Sequence, residues 1–193
     1  MTIAGIVLAG GASARMGAHK PFLPFGGATL IEAVIARAGP QVDTLAIDVA
    51  PEMAETYRSR LKDIILPDLF DETLGPLCGI VTGLMWAETE WLATFPCDSP
   101  FLPDDLVAQL AAHAETGPVV ARGAQVCGLW PKSCLARLKQ GVEAGTLRSV
   151  LGAVEALGGR SVAIAADGNA FFNVNTPDEL TLAEALRPSA PEA

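Results

Sequence analysis

The chain of 193 residues and 20.0 kDa has the size of one domain and leaves no room for two ordinary ones. Half of the residues are hydrophobic and mean hydropathy is +0.36, which supplies a sizeable core and argues against disorder. With 13 basic against 22 acidic residues, a net charge of −9 and a pI of about 4.6, the chain lacks the massed Lys and Arg that grip phosphate backbones; nor does any apolar run reach the roughly 18 residues of a membrane span, so neither nucleic acid nor membrane is an expected partner.

Ile3 to Leu8 is an uninterrupted apolar run that stops at glycines, as a strand buried on both faces does. Thr29 to Ala38 reads as a helix, with Leu30, Val34 and Ile35 on one face and Gly39-Pro40 as its stop. Thr44 to Val49 is a second strand, Glu52 to Leu61 a second helix and Asp63 to Leu66 a third strand. Leu77 to Ala87 reads as a helix, Trp91 to Phe95 as a strand and Pro103 to His113 as a helix. This alternation predicts an α/β fold, a Rossmann-like, mostly parallel sheet flanked by helices.

The far half is less regular. Pro118–Ala121 and Val126–Trp130 read as strands, Ser133–Lys139 and Leu147–Leu157 as helices, Ser161–Ala165 and Phe171–Val174 as strands, and Pro177–Leu186 as a final helix. Nothing divides the chain, so residues 1–186 are expected to form one domain, and 187–193, with Pro188 and Pro191, a flexible tail. The start, Met1-Thr2-Ile3-Ala4-Gly5, has no basic segment, so no signal peptide is expected. Cys78, Cys97, Cys127 and Cys134 form no CxxC pair, which fits reduced thiols in a cytoplasmic protein.

In sheets of this kind ligands bind beyond the carboxyl ends of the strands. The loop after the first strand reads Leu8-Ala9-Gly10-Gly11-Ala12-Ser13-Ala14-Arg15-Met16-Gly17-Ala18-His19-Lys20-Pro21. Paired glycines let backbone amides approach an anion, and Arg15 and Lys20 add mobile positive charge suited to a triphosphate. The spacing is neither a Walker A loop nor a G-x-G-x-x-G fingerprint. After the fourth strand comes Pro96-Cys97-Asp98-Ser99-Pro100-Phe101-Leu102-Pro103. Asp98 stands where a carboxylate can hold Mg²⁺, although Asp98 or Ser99 could equally cap the helix from Pro103. Asp104 and Asp105 suit that helix's dipole. Leu66-Pro67-Asp68 ends the third strand and is followed by Gly75-Pro76-Leu77-Cys78-Gly79-Ile80. Phe171-Phe172-Asn173-Val174-Asn175-Thr176-Pro177-Asp178-Glu179-Leu180 joins an expected strand to a capped helix and leaves Asn173 and Asn175 on one strand face.

These four segments resemble the signatures of the nucleotidyltransferases of the molybdenum-cofactor guanylyltransferase type (MobA-like), within the nucleotide-diphospho-sugar transferase fold type. The resemblance implies transfer of GMP from GTP to Mo-molybdopterin, with Mg²⁺ as cofactor, giving molybdopterin guanine dinucleotide and pyrophosphate. It implies that Leu8, Ala9, Gly10 and Gly11 wrap the phosphates and that Arg15 and Lys20 neutralise them. By the same resemblance Asp98 binds metal and phosphate, and Asp68, Gly75, Pro76 and Leu77 surround the nucleotide. Asn173, Asn175 and Arg148 are implied on the acceptor side, and transient contact with molybdoenzymes or other cofactor-biosynthesis proteins is implied as well. Two departures stand out: Asp48, in Ile47-Asp48-Val49-Ala50, replaces an expected Asn near guanine, and Cys127-Gly128-Leu129-Trp130 lacks an expected preceding His-Pro. A carboxylate at position 48 can still accept from guanine's N1–H and N2–H₂ edge. Two other readings stay open here, a related cytidylyl or sugar-phosphate nucleotidyltransferase and a non-catalytic nucleotide-binding relative. Cys97 has no base beside it in sequence, and His19 and His113 are too isolated for a zinc site.

Overall fold

The computed structural model describes residues 1–10, 20–70 and 75–187. Strand β1 (Ile3–Leu8) is followed by a short antiparallel pair, β2 (Pro24–Phe25) and β3 (Ala28–Thr29), and by α1 (Leu30–Ala38). Then come β4 (Thr44–Val49), α2 (Ala54–Arg60), β5 (Ile64–Pro67), α3 (Pro76–Trp86), β6 (Trp91–Pro96) and α4 (Leu106–Ala111). The far half holds β7 (Val119–Ala121), β8 (Ala124–Pro131), α5 (Leu135–Glu143), α6 (Val150–Ala156), β9 (Arg160–Val162) and α7 (Pro177–Leu186).

One sheet runs in the order β5-β4-β1-β6-β8-β7-β9. Its first four strands are mutually parallel, β8 runs antiparallel to both neighbours, and β9 is parallel to β7. β1 pairs with β4 on one side and β6 on the other, so the strand order reverses there and a crevice opens beyond its carboxyl end. Its sequence suits that central place: the inner residues Ala4 to Val7 are all buried. Helices cover both faces. Ile31 and Val34 of α1, Tyr57 of α2 and Leu106 and Leu110 of α4 pack on one. Leu77, Ile80 and Leu84 of α3 pack on the other with Leu138 of α5 and Val154 of α6. A third cluster, Phe25, Leu30, Val174 and Ala183, ties the β2–β3 hairpin to α7.

The α/β expectation holds, with local corrections. The helix expected from Pro103 starts at Leu106, with Asp105 as its N-cap residue, and ends at Ala111. The strand expected through Ala165 ends at Val162; further on, the Gln109 side chain takes the Ala165 amide at 2.7 Å. Phe171–Val174 is not a strand: it pairs with no strand among the described residues, and the Val174 amide bonds to the Asp98 carbonyl at 2.9 Å. Arg187, expected in the tail, is held in place. Its guanidinium sits 5.6 Å from the Phe25 ring centre and donates to Glu184 at 3.1 Å. Residues 188–193 lie outside the described residues.

Candidate active site

A cleft of about 410 Å³ opens beyond the carboxyl ends of the parallel strands. Leu8 and Gly10 follow β1 into it, Asp48 enters from β4, and Asp68 stands just past β5. Gly75, Pro76 and Gly79 bring the start of α3 to the same wall. Gly75 adopts φ 68°, a left-handed conformation that admits glycine readily, and Pro76 opens the helix with its φ already set. At Gly79 the backbone lies so close that a Cβ would meet Asp48 Oδ2 at 2.4 Å and Leu8 Cδ2 at 2.6 Å. Glycine there lets α3 close over the β4 carboxylate.

Asp48 is 2% exposed, and among the described residues its Oδ1 has no hydrogen-bond partner. Burial, and secondarily the charge of Asp68, pushes its carboxyl up to about 8, so it is protonated at neutral pH in the unliganded protein. Asp68 accepts from Thr82 Oγ1 at 3.0 Å and from the Phe70 amide at 3.2 Å. Burial raises the Asp68 pKa, and those hydrogen bonds work against the rise.

Across the cleft, segments distant in sequence converge. Lys20 Nζ donates to Asp98 Oδ2 at 2.8 Å and to Asn175 Oδ1 at 2.7 Å. Ser99 Oγ, in a residue only 1% exposed, donates to Asn173 Oδ1 at 2.5 Å. The amide of Val174, between the two asparagines, donates to the Asp98 carbonyl, which fastens the 173–175 strap against the end of β6. A third wall comes from the β7–β8 turn and the start of β8, where Gly123, Gln125 and Cys127 line the cleft.

The structure thus brings Leu8, Gly10, Lys20, Asp48, Asp68, Gly75, Pro76, Asp98, Asn173 and Asn175 into one cavity. Gly11 and Arg15 lie outside the described residues. Ala9 stands apart from the lining: it packs into the core and its amide donates to the Asp48 carbonyl at 2.8 Å, which occupies the group expected to meet phosphate. Leu77 is fully buried beneath α3 and contributes core, not cleft surface. Arg148 is not brought to the cleft either. Its guanidinium folds back onto the Gly145 carbonyl at 2.8 Å on an exposed turn. Asn173 and Asn175 share the cleft as expected, from a strap and not from a strand.

Sequence reasoning missed Thr82 and Gln125, and it gave Ser99 no role beyond that of an alternative helix cap. The position of Ser99 next to Asp98, before Pro100, was a usable signal; Gln125 carried none. Cys97 also lines the cleft, but burial and then the Asp98 charge push its thiol up to about 12, which withholds the thiolate a nucleophile requires. Among the described residues no three His, Cys, Asp or Glu side chains gather as a metal cage. Of the three carboxyl groups that line the cleft among the described residues, Asp48 keeps its proton and Asp68 is engaged by Thr82 and the Phe70 amide, which leaves Asp98 to offer hard oxygens at the mouth of the parallel strands. That suits Mg²⁺, which binds through one or two carboxylates and draws its other ligands from water and substrate phosphate. The cleft therefore offers a glycine-lined wall for a polyanion on one side and, across from it, an ammonium, a carboxylate beside it and two amides.

The model of the MobA-like NTP transferase domain matches residues 5–159. A molybdenum cofactor guanylyltransferase of Cereibacter sphaeroides is 40% identical over 195 residues, covering 96% of this chain and 97% of that relative. The crystal structure of molybdopterin-guanine dinucleotide biosynthesis protein A from Archaeoglobus fulgidus matches with a TM-score of 0.76 at 24% identity, covering 96% of this chain and 98% of that one. The 2-C-methyl-D-erythritol 4-phosphate cytidylyltransferase of Thermus thermophilus gives a TM-score of 0.73 at 19% identity, again over 96% and 98%. The two structural likenesses show the fold, that of nucleotidyltransferases of the nucleotide-sugar transferase type.

Proposed function

Because this chain belongs to the MobA-like NTP transferase family, we propose that it transfers GMP from GTP to Mo-molybdopterin, forming molybdopterin guanine dinucleotide and pyrophosphate. The observation that carries the reading is the meeting of Lys20, Asp98 and Asn175 in one cleft, opposite the glycine-lined wall of Gly10, Gly75 and Gly79. GTP lies along that wall, with its base and ribose toward Asp48, Asp68 and the start of α3. Its phosphates face Lys20 and Gly10, and the motif alone assigns Gly11 and Arg15 to them. The acceptor enters from the side of Asn173 and Asn175. Residues 1–186 act as one domain, its first half serving the nucleotide and its second half the acceptor.

An oxygen of the acceptor's terminal phosphate bonds to the α-phosphorus of GTP as the bond to the bridging oxygen of pyrophosphate breaks. No base is needed, since a phosphate monoester is largely ionised at neutral pH. Lys20 neutralises charge that develops on the phosphates, and to reach them it exchanges its bond to Asp98 for one to substrate. Asp98 is the residue that would hold Mg²⁺. When bound, the ion supplies neutralisation of the triphosphate and of the departing pyrophosphate.

The test combines a product assay with nucleotide selectivity. Purified protein with Mg²⁺, GTP and Mo-molybdopterin is expected to release pyrophosphate only when the acceptor is present, and GTP to raise the melting temperature more than CTP. Stabilisation by CTP over GTP would overturn the guanine assignment. Absence of pyrophosphate release with the full mixture would overturn the transferase reading. No described helix is long and apolar enough to cross a membrane, which is in keeping with a biosynthetic role in the cytoplasm.

A further inference from the structure

We infer that Asn173 and Asn175 turn only their amide NH₂ groups toward the cleft, and that these donors grip the acceptor's phosphate and do not read its heterocycle. The inference rests on the transferase reading above and assigns the part of the acceptor that meets the strap. It begins with Lys20. An ammonium donates and cannot accept, so the atom of Asn175 facing it at 2.7 Å is the carbonyl oxygen, and the NH₂ is turned the other way. Asn173, on the other side of Val174, is oriented by distance: the hydroxyl of Ser99, almost wholly buried, donates to Oδ1 at 2.5 Å, a length of O–H···O bonds and shorter than N–H···O bonds run. Val174 itself is fully buried and its amide is held by the Asp98 carbonyl, so the backbone that carries both side chains is fixed and the orientation of each amide is left to its own partner.

With both carbonyls engaged, what remains for a ligand is a pair of N–H donors beside an ammonium. A pterin edge alternates donors and acceptors, and an amide that reads it needs both of its ends free. An ionised phosphate presents acceptors only, and hydrogen bonds to it are charge-assisted. The strap is therefore complementary to the nucleophile of the reaction and not to the ring. Ser99 acts as a positioning residue: it need not touch substrate, but it sets which end of Asn173 does.

Steady-state kinetics on Asn173→Ala, Asn173→Asp and Ser99→Ala separate the alternatives. Asn173→Ala removes a donor and is expected to lower kcat/KM for the acceptor roughly tenfold. Asn173→Asp keeps the bond from Ser99 but sets a negative charge against the phosphate, and is expected to cost a further tenfold or more, in the range of about 100-fold overall. Ser99→Ala, a small deletion in a packed site, is expected to approach the loss of Asn173→Ala. In all three the KM for GTP stays within about twofold, and cooperative melting confirms the fold. If Asn173→Asp retains as much kcat/KM for the acceptor as Asn173→Ala, or more, the side chain meets an N–H of the ring and the inference is overturned, as it is if none of the three alters acceptor kinetics. Failure of the unaltered enzyme to form product overturns the transferase reading itself and this inference with it.

Discussion

Asp48 and Asp68 converge on the same glycine: a Cβ placed on Gly10 would lie 3.1 Å from Asp48 Oδ2 and 3.6 Å from Asp68 Oδ2. Two carboxyl groups so close, on the floor of a cleft that takes an anionic substrate, cannot both hold full charge cheaply. Asp48, the more buried of the two, is the one that stays protonated at neutral pH.

The first expected outcome is a pH-dependent cost to stability. In the unfolded chain Asp48 loses its proton near 3.8, and in the folded protein only near about 8. Between those values the unfolded state holds fewer protons, so the contribution of Asp48 is most favourable at low pH and is lost as pH rises through the folded value. Asp48→Asn removes this titration. Its melting temperature relative to the unaltered protein is expected to climb by at least about 4 °C between pH 5 and pH 7.5. A difference that stays flat over that interval would refute the protonated state.

The second concerns Lys20 and Asp98, joined at 2.8 Å across 78 positions of sequence. Asp98→Asn is expected to lose Mg²⁺-dependent turnover by about 100-fold or more while unfolding remains cooperative. Lys20→Met is expected to lose a similar factor in kcat. Unchanged kcat in either variant would refute the role given to that residue.

Gly79→Ala provides a third. The added methyl would meet Asp48 Oδ2 and Leu8 Cδ2 well inside contact distance, so α3 or β4 must shift. A loss of about 1–3 kcal/mol is expected in denaturant titration, with weaker GTP binding by calorimetry. Equal stability and equal affinity would mean that α3 is not set by its approach to Asp48.

Arg187→Ala tests how the C-terminal helix is fastened. The guanidinium lies over the buried Phe25 ring and also reaches Glu184 and the Gly26 carbonyl at exposed positions. A loss of about 0.5–1 kcal/mol is expected from thermal melts, with no change in GTP affinity. A larger effect on GTP binding than on stability would show that the hairpin governs the nucleotide side.

Much of the first half was legible in the sequence because each strand there is a short β-branched run set off by glycine or proline, and each is followed by a helix. Parallel pairing needs no information beyond that alternation. The β2–β3 hairpin was overlooked although its signal was present: Gly26 and Gly27, at φ 65° and 83°, sit between Phe25 and Ala28 as a two-residue turn between paired strands. Phe171–Val174 misled for the opposite reason, since its apolar side chains are those of a strand but no neighbouring edge receives it. Lys20, Asp98 and the two asparagines were recognisable as a set through their motifs. Their mutual hydrogen bonds were not, because which end of an amide faces an ammonium depends on packing between segments far apart in sequence. Arg148, assigned to the acceptor by its motif, donates to the Gly145 carbonyl, a local contact that the motif does not reveal.

Val174, seated among Phe25, Leu30 and Ala183, joins the strap to the hairpin that follows Lys20. A disturbance of α7 therefore reaches the cleft through Val174, whose two neighbours in sequence carry the amides that bond to Ser99 and Lys20.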